Sequence, residues 1–422
     1  MDERFEALKK YNLWEGQNLP IGFLRADYTK KINSYIGNRL VKVLVGQRRV
    51  GKSYILRQLA MQLIENGVDK KNIFFLNKEF ADFDFVKTYS DLDELVKRYK
   101  QQINPQGRLY LFIDEIQNIK GWEHIINSYS QDYVDEYEVF ISGSNSKMLS
   151  GELATLLSGR YVDFEILPLS YGEYLGITQK EDVKQSYIEY MQTGGMPELF
   201  QLSNDEVKRN YIEALKDTVL LKDIIQRYNI KDTKLLEDIF VYLINNASNL
   251  LSVRNIANYF KSSGRKTSYD TVSTYIGYIE NTYLIHRVER FNIKGKETIA
   301  GNCKYYANDL SYNNYLYQGF GYGVGYLLEN LVYLELIRSG YNVYVGAIKD
   351  KEVDFVAIKG DRTIYIQATY MLIDKQTIER EYAPLEAIDD SFEKMVVSLD
   401  DLAQPSKGGI RNVQAWKLTD ML

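Results

Sequence analysis

The sequence predicts an α/β protein whose leading part is a parallel sheet covered by helices on both faces. Three observations carry this. Almost wholly apolar runs recur at 42–45, 72–76, 109–113 and 137–142. Amphipathic stretches of mixed charge, such as 54–64 and 91–99, separate them. A glycine-bounded loop links the first run to the first such stretch. Strands alternating with helices and buried on both faces are the signature of a parallel sheet.

Each later element has its own pattern. From about Gly172 to Ile230 the sequence is helical, broken by TGGMPE at Thr193 to Glu198, and reads as a helical lid. Residues Leu235 to Ile293 read as three helices and a hairpin, with KGKE at the hairpin turn and Ser252 and Ser268 placed as N-caps. The remainder reads as an α+β unit, with a helix at Tyr326 to Ser339 and strands near 342–345, 353–358 and 363–368. The expected divisions are 1–170, 171–230, 231–297 and 298–422.

Composition narrows the function. A chain of 422 residues, 45% hydrophobic and 26% charged, is expected to form two to four globular domains, which excludes wholesale disorder. One cysteine, Cys303, makes no intramolecular disulfide, and two histidines make a histidine metal centre an unpromising reading. The acidic N-terminus MDERFEALKK does not resemble a secretion signal, and no apolar run approaches the roughly 18 residues of a membrane helix. A cytoplasmic protein without a membrane partner is therefore expected. A net charge of -5 disfavours bulk electrostatic binding of nucleic acid but permits a local basic patch.

The strongest chemical signal is Gly46-Gln-Arg-Arg-Val-Gly51-Lys52-Ser53. In a strand-loop-helix context this spacing lets backbone N–H groups curl around phosphate oxygens while the helix offers its positive end. Lys52 is then expected at the β- and γ-phosphates of ATP and Ser53 on Mg²⁺. Downstream, an apolar strand ends in Asp114-Glu115. Alternation along an extended tip would send the two carboxylates different ways, Asp114 to Mg²⁺ and Glu115 to the attacking water as general base. Asn145, in ISGSNS, is a candidate for orienting that water, in competition with Ser142, Ser144 and Ser146. Arg160 is a candidate arginine finger or sensor, with a plain surface arginine as the alternative. Arg48 and Arg49 sit in the loop itself, so one of them is a candidate nucleotide contact.

Taken in order, GQRRVGKS, LFIDEIQNIKGWE, ISGSNS and SGRYVDFEILPLSYGEYL resemble the AAA-type ATPases of bacteria and archaea whose C-terminal half carries a domain of unknown function related to restriction-endonuclease folds. The resemblance implies ATP binding, a role for Arg160, a join near Leu167 to Tyr171, and a winged-helix module after the lid. It also implies a nuclease-like last domain in which a helix Glu, a strand Asp and a following acid-x-Lys hold divalent metal. Glu329 and Asp354 match the first two positions. Gln367 stands where the second carboxylate belongs and Thr369 where the lysine belongs, so an uncleaving, degenerate site is expected.

The expected function is a Mg-dependent ATPase switch coupled to a DNA or protein partner, with homo-oligomers implied if the arginine comes from a neighbour. Arg265, Lys266, Arg287, Arg290, Lys294 and Lys296 are the cations through which a winged helix would meet DNA phosphates. The alternatives are a DNA-binding module in which ATP is a structural ligand, and an ATP-gated nuclease.

Overall fold

The computed structural model describes residues 3–146, 156–157, 159–317, 323–372, 374–401 and 406–422. The chain divides into two compact units, 1–166 and 167–422.

The first unit is a five-stranded sheet: β1 (Val41–Val45), β2 (Ile73–Asn77), β3 (Leu109–Asp114), β4 (Tyr137–Gly143) and β5 (Tyr161–Glu165). The order is β2-β3-β4-β1-β5 and every pair is parallel. Four strands were legible as apolar runs. The fifth, YVDFE, is half-exposed at the sheet edge, so it lacks the continuous apolar character that marks the others. The opposite edge, β2, is covered. After helix α1 (Glu3–Tyr11), Asn12 donates to the Phe75 carbonyl at 2.9 Å and accepts from its N–H at 2.7 Å, while the Trp14 indole donates to the Ile73 carbonyl at 2.7 Å. The N-terminal segment thus occupies backbone groups that an edge strand would otherwise leave open to another chain.

Helices α2 (Ala26–Asn33), α3 (Lys52–Glu65), α4 (Tyr89–Ile103) and α5 (Trp122–Gln131) complete the described helices of this unit. A reciprocal capping box between Thr88 and Asp91 starts α4. Because β4 lies between β1 and β3, its carboxyl end stands between the glycine loop and Asp114. That is the crevice where open α/β sheets bind ligands.

In the second unit, helices Tyr171–Thr178, Lys184–Thr193 and Asp205–Thr218 come first. The TGGMPE break has a steric cause. A side chain at Gly194 would lie 2.4 Å from an Asp309 carboxylate oxygen, and one at Gly195 2.4 Å from the Leu169 carbonyl. The Gly195 N–H donates to Asp309 at 2.7 Å.

Helices Thr233–Asn245, Val253–Ser262 and Tyr269–Glu280 follow, with Ser252 and Ser268 accepting from the backbone as N-caps of the last two. The hairpin β6 (Ile285–Asn292) and β7 (Glu297–Ala307) does not stop at the helices. It continues a seven-stranded mixed sheet with β8 (Asn342–Ile348), β9 (Lys351–Lys359), β10 (Arg362–Thr369), β11 (Glu393–Ser398) and β12 (Ile410–Gln414), in the order β12-β11-β10-β9-β8-β6-β7. The expected division at 297/298 therefore falls within a continuous sheet: backbone pairing between Arg290–Asn292 and Val345–Ala347 ties the hairpin to the strands beyond it. Helix Val324–Arg338 covers one face through Leu328, Leu331 and Val332, and helix Lys375–Glu386 the other through Tyr382 and Leu385.

Among the described residues no helix is long and apolar enough to cross a membrane.

Candidate nucleotide-binding site

The loop after β1 is built by two positive-φ glycines. Gly46 has φ 140°, and a side chain there would meet the Ile166 carbonyl at 2.3 Å; Gly51 has φ 101° and forms the left-handed start of α3. Only glycine adopts such backbone cheaply. Arg49 also has φ 68°, a strained position for a side-chain residue of the kind that gathers at functional sites. Its side chain is exposed, whereas Arg48 pairs with Glu79 at 2.7 Å.

Lys52 opens α3, is 4% exposed, and donates to the Gly46 and Gln47 carbonyls at 2.8 and 2.9 Å. Its ammonium is thus held inside the loop. Below the loop, the Arg25 guanidinium donates to the Val50 carbonyl at 3.0 Å, and Gln58 of α3 ties to the Ile21 and Phe23 carbonyls at 2.7 and 2.8 Å. The segment before α2 thereby braces loop and helix together.

Asp114 is fully buried at the end of β3. Asn77, its register partner on β2, donates to Oδ2 at 2.9 Å, and the Ser142 hydroxyl of β4 donates to Oδ1. Burial, and next the Glu115 charge, push its carboxyl up to about 6, against hydrogen bonds from Ser142 and Ser53 and the charge of Lys52. A hydrogen bond from Ser53 thus puts that hydroxyl beside Asp114, whereas the sequence predicts only that each serves Mg²⁺.

Glu115 does not continue the strand. Its backbone is left-handed, φ 56°, so simple alternation does not set its direction. Its N–H donates to Ser142 Oγ at 3.1 Å, and its carboxylate accepts from Gln117 and, at 3.3 Å, from Ser144. Ser142 and Ser144, which precede Asn145, thus hold the two carboxylates. Asn145 follows β4 by two residues and is 1% exposed.

Arg160 is the residue that the structure takes away from its own site. It precedes Tyr161, which pairs with Val41 at the start of β1, whereas Ile166 bonds to Val45 at the loop end. At the rise of an extended chain this separates Arg160 from its own loop by about 20 Å. Its guanidinium instead donates to Asn127 of α5 at 3.2 Å, on an exposed surface.

The donor set fits a magnesium nucleotide: a hydroxyl beside a buried carboxylate, an ammonium, and a loop that only glycines can form. Asn77, Gln117 and Arg25 are the parts that sequence reasoning missed, while Ser142 and Ser144 were candidates only as alternatives to Asn145 for orienting water. A signal existed for Asn77, the polar end of an apolar strand adjoining the acidic one.

A family profile described as an AAA domain matches residues 38–175, and one described as a domain of unknown function matches 184–321. An uncharacterized protein of Haemophilus influenzae is 33% identical over 378 residues, 89% of this chain and 92% of its own length. The chain belongs to the AAA-type P-loop ATPase family. Another member, an uncharacterized protein of Methanocaldococcus jannaschii, is 31% identical over 86% of this chain and 82% of its own. The Walker-type ATPase PABY2304 of Pyrococcus abyssi superposes with a TM-score of 0.48 at 14% identity, covering 69% of this chain and 94% of its own.

In the second unit, the residues of the expected degenerate nuclease site do gather, with a different membership. Glu329, Asp354 and also Glu352 surround Lys304, whose ammonium lies 2.8, 3.6 and 2.7 Å from their oxygens. Gln367 stands behind them, accepting from the Asp354 N–H at 2.7 Å and donating to Glu381 at 3.3 Å. Burial alone would lower the Lys304 ammonium, but Glu329, Asp354 and Glu352 hold it above its ordinary range. Burial, then Glu329, raise Asp354 to about 8.

The expected basic face is thinner than its sequence. Arg265 is paired with Asp238, and Arg287 lies 3.6 Å from Glu289, while Lys266, Lys294 and Lys296 are exposed.

Proposed function

We propose that this AAA-type protein is a Mg-dependent ATPase whose nucleotide state is coupled to a DNA or protein partner. The observation that carries the reading is the contact of Ser53 with buried Asp114, beside Glu115, at the carboxyl edge of one parallel sheet where β4 separates β1 from β3.

In this reading the N–H groups between Gly46 and Gly51, with Arg49 at the rim, bind the phosphates, and Lys52 leaves its loop carbonyls for the β- and γ-phosphates. Ser53 and Asp114 would hold Mg²⁺, which supplies neutralisation of phosphate charge. Ser142 and Asn77 fix Asp114 so that its oxygens need no reorganisation. Glu115, steadied by Ser144 and Gln117, accepts the proton of the attacking water, and Asn145 orients that water. Arg160, remote from its own loop and exposed, serves the site of a neighbouring copy. The three helices and the hairpin act as a winged helix, with Lys266, Lys294 and Lys296 as its phosphate contacts.

The test is ATP turnover by the wild type and Glu115→Gln, with Mg²⁺ and with or without duplex DNA. The variant should bind ATP and turn it over about 10² to 10⁴ times more slowly. Stimulation by DNA identifies DNA as the partner. A wild type that binds ATP without turnover in either condition overturns the hydrolytic reading and favours ATP as a structural ligand.

A further inference from the structure

The Lys304 cluster is assembled by strand periodicity. Lys304 and Tyr306 stand two apart on β7 and share a face, as do Glu352 and Asp354 on β9. Glu329 descends from helix Val324–Arg338. An ammonium has three N–H groups, and three carboxylates from two elements meet this one. The remaining capacity of the cluster is directed elsewhere. Tyr306 donates to the same Glu329 oxygen at 2.7 Å, and the second Asp354 oxygen accepts from the Ala368 N–H at 2.9 Å. Lys304 is 3% exposed and Glu329 6% exposed, so the amine cannot swing into solvent without opening the cluster.

A divalent cation needs the point where these oxygens converge, and demands them at about 2.0 to 2.6 Å. The ammonium already occupies that point. It does not come from β10, where Thr369 stands at the expected lysine position, but from β7. Gln367 contributes no charge and turns its amide to the backbone and to Glu381.

We propose that Lys304 is the resident cation of the nuclease-like site: its ammonium takes the place of a divalent metal ion among Glu329, Glu352 and Asp354, and these carboxylates become metal ligands only when the amine is removed. The inference rests on the nuclease-like reading of this domain and is independent of the ATPase reading. It accounts for the loss of the second strand carboxylate: with a monovalent cation built in, a further charge at position 367 would be uncompensated.

The experiment is Mn²⁺ binding to the full chain without nucleotide, followed by electron paramagnetic resonance, for the wild type, Lys304→Met, Lys304→Gln and Lys304→Met/Asp354→Asn. Each is also melted with and without Mn²⁺, and incubated with plasmid DNA. Any contribution of the glycine loop is common to all four. The Lys304 variants should gain a Mn²⁺ site at least tenfold tighter than any in the wild type and melt higher with Mn²⁺. The double variant should lose both effects, and ATP binding should stay at the wild-type level throughout. Folded Lys304 variants that gain no site overturn the proposal alone. So do variants that fail to fold at every Mn²⁺ concentration, because the cluster then cannot exchange amine for metal. Wild-type cleavage of plasmid with Mn²⁺, lost on Asp354→Asn, overturns the proposal and the uncleaving reading together.

Discussion

Two carboxylate sites in one chain answer the same electrostatic problem in opposite ways. Around Asp114 and Glu115 the neighbours are hydroxyls and amides, from Ser53, Ser142, Ser144, Asn77 and Gln117, and the nearby Lys52 points its donors at loop carbonyls. Around Glu329, Glu352 and Asp354 the neighbour is a buried ammonium. Neutral donors orient a carboxylate without satisfying its charge, so the first site keeps a demand for cations. An internal lysine offsets one of the three charges and fills the space between them, closing the second. Ligand chemistry is thus decided less by the acids themselves than by what stands between them.

The comparison is broken most directly by turnover. Asp114→Asn and Glu115→Gln should each slow ATP hydrolysis by two or more orders of magnitude, whereas Asp354→Asn should leave it at the wild-type rate; a steady-state assay of all three decides whether the sites are separate. Next in size, Lys304→Met without metal strands the buried Glu329 beside two further carboxylates and should lower unfolding free energy by about 3 to 5 kcal/mol in a denaturant titration. Lys52→Met should cost far less, since the Gly46 and Gln47 oxygens it donates to are neutral carbonyls.

A third case sharpens the contrast, because Glu280 is a partly buried acid with little compensation. One of its carboxylate oxygens is buried without a hydrogen-bond partner, and burial raises it from 4.5 to about 7, only partly opposed by Arg287. The folded state therefore holds its proton more tightly than the unfolded chain. Stability should be greatest below about pH 4.5 as far as this group is concerned, and should fall as pH rises toward 7. Glu280→Gln should stabilise the protein by up to about 3 kcal/mol at pH 8 and by little at pH 4.5. Equal effects at both pH values would show that the charge is compensated. The smallest effect expected is Thr88→Ala, which removes a helix cap that is part of neither site and should cost about 1 kcal/mol with no change in turnover.

The P-loop was legible because its chemistry is local: glycines at fixed spacing, a lysine and a serine at the start of a helix. The strand ends bearing Asp114 and Asn145 were legible for the same reason. Sequence reasoning lost accuracy where the next step required a neighbour far along the chain. Lys304 lies 25 residues from Glu329 and 50 from Asp354 and reaches them only through the folding of the last sheet and its helix, and Asn77 meets Asp114 only through strand pairing. The sequence by itself determined the alternation of strands and helices, the caps at Ser252 and Ser268, and the phosphate-binding loop, because propensity, periodicity and backbone freedom act over a few residues. Only the tertiary structure decided that Arg160 faces away from its own loop, that the hairpin joins the last sheet, and that a lysine fills the second acidic site. Those outcomes depend on sheet order and register, which are set by long-range packing.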